Sequence, residues 1–203
     1  MYGYVRIELG AISKIGRGAS PRPIQKYITN SDDGVNWIKI GDVKPGAKYV
    51  ESCGQKITKE GAKQSKFVNV GDFILSNSMS FGRPYILKIQ GCIHDGWLSI
   101  TDFDNYVLSD FLYYTLISSS IQKEMAQKAS FGGAVQNLNA DIVKGICINI
   151  PSFERQKEIV EKLDKFDKIV NDLVEGLPAE IQARQQQYEY YRNKLLTFKE
   201  KVD

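Results

Sequence analysis

The sequence predicts an α+β protein: a mixed α/β module over residues 1–150, followed by long coiled-coil-type helices over residues 151–203. Three observations carry this prediction. Short apolar runs bounded by Gly, Pro, Asn and Asp recur through the first part, as strands and turns require. Sixteen of the 17 glycines precede Pro151. After it, Ile159, Leu163, Phe166, Val170, Leu173 and Leu177 step by 4, 3, 4, 3 and 4, the spacing of a helical seam.

In chain order, strands are expected at 37–40, 73–75, 85–87, 91–93, 97–100 and 146–150. A helix is expected from Ser109 to about Lys128, with Ser109 as its cap and Phe111, Leu112, Leu116, Ile121 and Met125 turned inward. Smaller helices fit 58–64 and 139–143. Pro151 ends the last strand, and Ser152 and Glu154 suit a helix start, as cap and as charge against the dipole. Gly176-Leu177-Pro178 interrupts the seam, since Gly suits a helix end and Pro a first turn. A second stripe follows at Ile181, Tyr188, Tyr191, Leu195 and Phe198. The two stripes fit either a hairpin or a kinked rod. Either way these eleven residues form an apolar face that needs a partner, and the tyrosines are read as interface packing.

Composition excludes several classes. The 203 residues include 42% hydrophobic residues and 22 aromatics (Tyr 11, Phe 9, Trp 2), enough for a core and too many for a disordered chain. No apolar stretch is long enough to span a membrane, and Met1-Tyr-Gly-Tyr-Val-Arg lacks the pattern of a secretory signal. Cys53, Cys92 and Cys147 stand in no zinc or redox spacing and read as reduced, cytoplasmic thiols. The net charge of +3 divides unevenly: residues 1–150 carry 17 Lys and Arg against 13 Asp and Glu, whereas residues 151–203 carry 10 against 11.

Catalytic inventories are not met. His94 is the only histidine, no acidic cluster has metal-ligand spacing, and no nucleophile elbow or phosphate loop is present. The methyltransferase pairing of a Phe-x-Gly-x-Gly loop with an Asn-Pro-Pro-Tyr-like tetrapeptide is missing as well. The chain reads as non-catalytic, with no cofactor and no metal.

Four loop segments instead hold short polar and basic side chains among glycines: 16–23, 37–43, 76–84 and 129–139. Arg and Lys neutralise phosphates, Arg pairs with guanine, Asn and Gln pair with adenine, and Ser positions the backbone. The candidate DNA-binding residues are Arg17, Ser20, Arg22, Lys39, Asn77, Ser78, Ser80, Arg83, His94, Gln136 and Asn137. Each has a plainer reading: solvated loop charge for Arg17 and Arg22, an ion pair for Arg83, self-satisfied turns for Asn77, Ser78 and Ser80, and helix capping for Gln136 and Asn137. Lys39 follows Trp37, a core candidate, and so faces outward. His94 is equally a packed or surface imidazole, and Trp97 a half-buried turn residue. The lysines at 56, 59, 63 and 66 read as a solvated face.

The order of these segments resembles the specificity subunits of type I restriction–modification systems. Gly16-Arg-Gly-Ala-Ser-Pro-Arg-Pro23 resembles the opening of that family's target recognition domain, and Trp37-Ile-Lys-Ile-Gly-Asp42 a recurrent strand. Ser76-Asn-Ser-Met-Ser-Phe-Gly-Arg83 resembles its Ser-rich loop, Ile93-His-Asp-Gly-Trp97 the strand and turn that follow, and Gln136-Asn-Leu-Asn139 the exit. Phe153-Glu-Arg-Gln-Lys-Glu-Ile-Val-Glu-Lys-Leu-Asp164, with Gly176-Leu-Pro-Ala-Glu-Ile181 and Gln187-Tyr-Glu-Tyr-Tyr-Arg-Asn-Lys-Leu-Leu196, is similar to its helical spacer. The resemblance implies a target recognition domain over 1–150 that reads half of a split site in double-stranded DNA. It also implies a spacer over 151–203 that sets half-site separation and docks the modification (methyltransferase) subunits and, through them, the restriction subunits. The family has two recognition domains and two spacers, whereas this chain has one of each. A homodimer through the helices is therefore expected, reading a palindromic interrupted site. The competing readings are a recognition fragment of a single-chain methyltransferase or restriction enzyme, and a helical assembly adaptor.

Overall fold

The computed structural model describes residues 3–44, 46–77, 81–130 and 137–196. The chain divides into two units, Met1–Ile159 and Val160–Asp203.

In the first unit the elements run β1 (Tyr4–Glu8), α1 (Leu9–Ile12), β2 (Lys14–Arg17), β3 (Ile28–Thr29), β4 (Val35–Ile38), β5 (Tyr49–Val50), β6 (Lys56–Ile57), α2 (Lys59–Ala62), β7 (Lys66–Val68), β8 (Phe73–Ser76) and β9 (Pro84–Leu87). They continue with β10 (Gly91–Ile93), β11 (Trp97–Thr101), α3 (Ser109–Ile117), α4 (Ser119–Ser130), α5 (Ala140–Lys144), β12 (Cys147–Pro151) and the start of α6 (Phe153–Leu196). One five-stranded sheet has the order β3-β6-β4-β10-β7, and a second the order β2-β11-β8-β9-β5. Both are mixed, because β4 pairs parallel with β10 and β5 parallel with β9. The two sheets share a core. Ile38, Val68 and Ile93 from the first meet Val50, Ile74, Tyr85, Leu87 and Trp97 from the second.

Strands β8, β9 and β10 are buried at every position, and β11 at all but its last. Covered on both faces, such strands read as continuous apolar runs, which is why they were visible in the sequence. The edge strands were not. Lys14-Ile-Gly-Arg17 has no apolar alternation and is a strand only because it pairs with Leu98–Thr101 of β11. A third, two-stranded sheet joins the ends of the module: β1 pairs antiparallel with β12, Tyr4 opposite Pro151 and Glu8 opposite Cys147. The three cysteines are free thiols.

Several expectations are corrected. Lys39 and Ile40 leave the sheet, because the Asp42 carboxylate accepts the Lys39 N–H (2.7 Å) and opens a 3-10 turn over Ile40–Asp42. The helix expected over 109–128 is two helices. Ser118 is extended (φ −60°, ψ 142°), and its carbonyl accepts the Gln122 N–H (3.0 Å) to begin α4. Gln122 mends the break by donating from Nε2 to Leu116 O at 2.8 Å and to Gly82 O at 3.0 Å. Leu108, not Ser109, caps α3. The inward residues named for this stretch, Phe111, Leu112, Leu116, Ile121 and Met125, are all buried. Trp97 is fully buried rather than half-buried. Thr58 and Asn139 cap the two small helices through Gly61 N and Ile142 N.

Helix α6 begins at Phe153, with the Arg155 N–H donating to Ser152 Oγ (3.4 Å). Its first turns belong to the first unit, anchored by Gln156, which has no exposed surface. Gln156 Oε1 accepts the Leu108 N–H (2.8 Å), and Nε2 donates to Pro151 O (3.0 Å) and Tyr106 O (3.3 Å).

The second unit is helical to Leu196, a run of about 55 Å at 1.5 Å per residue. The break expected at Gly176-Leu177-Pro178 does not occur. Proline lacks one ladder N–H and crowds the carbonyl four residues back, a local cost that the helix absorbs without ending. Among the described residues no helix is long and apolar enough to cross a membrane.

Candidate nucleic-acid interface

The candidate site is built on the turn His94-Asp95-Gly96 that links β10 to β11. The segment after β2 is fastened along this turn by backbone bonds. Gly18 N–H donates to Trp97 O (2.8 Å) and Ala19 N–H to Ile93 O (3.1 Å). Ser65 Oγ clamps the same segment by donating to Ala19 O (2.6 Å). The approach is close enough to require glycine, since a β-carbon on Gly18 would stand 2.0 Å from the His94 carbonyl oxygen.

Four of the predicted site residues are thereby gathered around Asp95. Arg17 Nε donates to the Asp95 carbonyl (2.9 Å), and Asn77 Nδ2 donates to the same oxygen (3.1 Å). Ser20 Oγ donates to Asp95 Oδ1 (2.9 Å), and Arg22 Nη2 reaches Oδ2 at 3.4 Å from a side chain that is 82% exposed. The Ser20 hydrogen bond holds the Asp95 carboxyl below its ordinary range, so the group is charged at neutral pH. Asn77 is itself buried and links two further segments. Its N–H donates to Gly96 O (3.1 Å), and its carbonyl accepts the Leu138 N–H (2.9 Å), drawing the 137–139 segment to the turn.

His94 shapes the turn from within. Its Nε2 faces the Ile40 N–H (3.1 Å) and its Nδ1 the Gly96 N–H (2.7 Å), while its ring lies between Trp37 and Trp97, with centroids 6.2 and 6.1 Å away. A neutral imidazole can accept one of these bonds at a time, and an imidazolium neither. Burial holds its pKa below the ordinary histidine value, outweighing the opposing pull of Asp95 and Asp42. Lys39 lies beside this ring through its neighbour Ile40, partly buried rather than facing fully outward. Both imidazole nitrogens are turned to the protein's own backbone.

Arg83 is not among the residues bonded to Asp95. Its guanidinium stands 6.0 Å from the Tyr85 ring centroid and borders an open cavity of about 440 Å³ shared with Phe81, Pro84, Tyr113, Ile117 and Gln122. Asn137 is exposed and leads into the cap residue Asn139, so the capping role belongs to Asn139. Ser78, Ser80 and Gln136 lie outside the described residues. Among the described residues no group of three or more His, Cys, Asp or Glu could hold a metal ion.

Sequence reasoning missed Asp95 and Gln156. Asp95 stood between two singled-out residues, and the signal was its charge inside an otherwise basic loop set. Gln156 precedes Ile159 by three residues and so falls on the seam face of the helix, where a polar side chain signals a buried hydrogen-bonding role.

On the helix, Ile159 and Leu163 are half-buried, while Phe166 is 66% and Leu177 54% exposed. The side chains of Val170, Leu173, Ile181, Tyr188, Tyr191 and Leu195 lie outside the described set, as does Phe198 altogether.

Residues 1–183 match the family model of the type I restriction modification DNA specificity domain. The chain is 30% identical over 196 residues to the specificity subunit of the Escherichia coli type I restriction enzyme EcoR124I/EcoR124II, covering 94% of this chain and 47% of that one. It is 32% identical over 194 residues to a putative type I specificity subunit, S.HindORF215P, of Haemophilus influenzae, covering 95% and 48%. The chain thus spans about half the length of the curated relatives it matches. Among solved structures, the HsdS subunit of Thermoanaerobacter tengcongensis matches with a TM-score of 0.66 at 20% identity, over 84% of this chain and 39% of that one. A chain from a structure concerned with complex assembly and conformational transition of a type I restriction–modification system matches with a TM-score of 0.70 at 20% identity, over 92% and 44%.

Proposed function

Because the chain belongs to the type I restriction–modification DNA specificity family, we propose that its first unit is a sequence-specific reader of double-stranded DNA and that it carries no catalytic role of its own. One observation supports this above the others: the 17–22 segment sets Arg17, Ser20 and Arg22 along the distant 94–96 turn, to which buried Asn77 also bonds. Arginines supply both phosphate neutralisation and paired bonds to guanine, and glycine at position 18 lets the backbone lie close. Arg83 and Asn137 extend the interface as separate contacts, Lys39 supplies phosphate attraction, and His94 supports the turn.

The test is a gel shift with a random duplex pool, with and without the modification subunit, over a salt series. Binding that weakens steeply with salt and selects a motif is the expected result. Salt-insensitive capture with no selected sequence in either setting counts against DNA recognition and favours an adaptor.

The helix is proposed to set the separation of half-sites, to dock modification subunits and, through them, restriction subunits, and to pair with a second copy. Support comes from the apolar spacing, the exposure of Phe166 and Leu177, and the half-length match to the curated relatives. Paired in two-fold fashion, two copies would read a palindromic split site. Methylome sequencing of cells carrying this chain with its modification subunit decides this, because an asymmetric motif excludes the symmetric dimer.

A further inference from the structure

A carboxylate at the centre of a basic DNA-facing surface is electrostatically adverse. It repels phosphate and cancels part of the attraction that neighbouring arginines supply. Asp95 is nevertheless the residue on which Arg17, Ser20, Arg22 and Asn77 converge, through its carbonyl and both carboxylate oxygens. Its own N–H faces Ser20 Oγ at 3.4 Å, closing a reciprocal pair. We propose that Asp95 is the specificity-determining positioning residue of the interface, holding Arg17 as a fixed donor for base edges and drawing Arg22 beside it, while opposing sequence-blind attachment to phosphates. The proposal rests on the DNA-recognition reading given above.

The geometry at Arg17 explains how this acts. Its Nε is occupied by the Asp95 carbonyl, which fixes the plane of the guanidinium. The side chain is exposed, its terminal nitrogens are not used in this bond, and a fixed pair of donors would match the O6 and N7 acceptors of guanine. An arginine held only by solvent samples many rotamers and contacts any phosphate within reach, adding affinity without selection. Arg22, 82% exposed, meets Asp95 only through Nη2 to Oδ2 at 3.4 Å, so the carboxylate biases its position by charge alone. Asn77, buried and committed to the same Asp95 carbonyl, fixes the turn as well.

The experiment is motif selection from a random-sequence duplex pool by the chain in complex with its modification subunit, beside the salt dependence of binding to a non-selected duplex. Asp95→Asn preserves shape and removes the charge. It is expected to bind the non-selected duplex severalfold more tightly, to steepen the log–log salt slope by about 1, and to lose information at one or more motif positions. Ser20→Ala leaves every charge in place and is expected to weaken motif selection at an unchanged salt slope. Thermal melting of each variant separates these effects from unfolding, and Ser20→Ala decides the positioning role if Asp95→Asn does not fold. Wild-type motif and salt slope in Asp95→Asn, or full selection in Ser20→Ala, overturns the proposal. A wild-type complex that selects no motif overturns the DNA reading itself, and with it this one.

Discussion

Gly18 lies against the carbonyl of His94 so closely that any β-carbon would stand 2.0 Å from the oxygen. This contact seats the Arg17–Arg22 segment on the turn that carries Asp95, so the hydrogen bonds at Ser20 and both arginines depend on it. Gly18→Ala must push the segment away. The expected outcome is a loss of about 1–3 kcal/mol in stability, as for other forced overpacking. DNA binding should fall at least tenfold, measured by urea unfolding and gel shift on the same preparation.

Gln156 satisfies three backbone groups of the first unit from a position with no exposure to water. Gln156→Ala leaves the Leu108 N–H and two carbonyls without their partner. A loss of about 2–4 kcal/mol is expected, from unsatisfied buried polar groups and the vacated volume. Urea denaturation followed by tryptophan fluorescence reads it, and a change under 0.5 kcal/mol would contradict the anchoring role assigned to this side chain.

Arg17 separates charge from geometry. Arg17→Lys keeps the cation and removes the fixed fork, so selection should weaken while the salt slope holds. Arg17→Ala should also lower the slope by about 1. Titrations at four salt concentrations on selected and non-selected duplexes distinguish these outcomes.

The His94 imidazole is held neutral by burial, and its pKa in the fold lies below that of the unfolded chain. The unfolded state therefore takes up the proton first as pH falls. Stability is full above the unfolded value near 6.5 and declines below it until the folded pKa is reached. His94→Gln removes this component. Melting temperatures between pH 7.5 and 5 should fall further for the wild type than for the variant.

Phe166 and Leu177 expose large apolar surfaces along the helix. Phe166→Glu with Leu177→Glu is expected to abolish the association proposed for the helices. Sedimentation equilibrium at micromolar concentration should shift from dimer to monomer, and a wild type that sediments as a monomer removes the dimer from the model.

Local pattern accounts for what was legible. Phe73–Ser76, Pro84–Leu87, Gly91–Ile93 and Trp97–Thr101 lie within a residue or two of the apolar runs that predict them, because strands covered on both faces are apolar throughout. Lys14–Arg17 and Lys66–Val68 were not read, since an edge strand owes its conformation to the neighbour it pairs with. Ser118 shows the reverse failure. The apolar residues on either side keep helical spacing, yet a run of three serines favours a cap over continuation. At the candidate site, residue type alone points to Arg17, Ser20, Arg22 and Asn77, and it hides Asp95, whose charge opposes theirs.

The sequence by itself determined a glycine-rich α/β module with a basic balance, a helical segment with an apolar seam, and membership of a recognisable family. These properties reside in composition and in spacings of two to seven residues, which a one-dimensional reading can register. Only the tertiary structure decided that residues 17, 20 and 22 meet residue 95, that Asn77 bonds the same residue, and that Gln156 locks the helix start to Leu108. Those partners lie 78, 75, 73, 18 and 48 positions apart. Bonds across such separations follow from how two sheets stack and which loops emerge at the same edge, and that arrangement is settled by packing of the whole core.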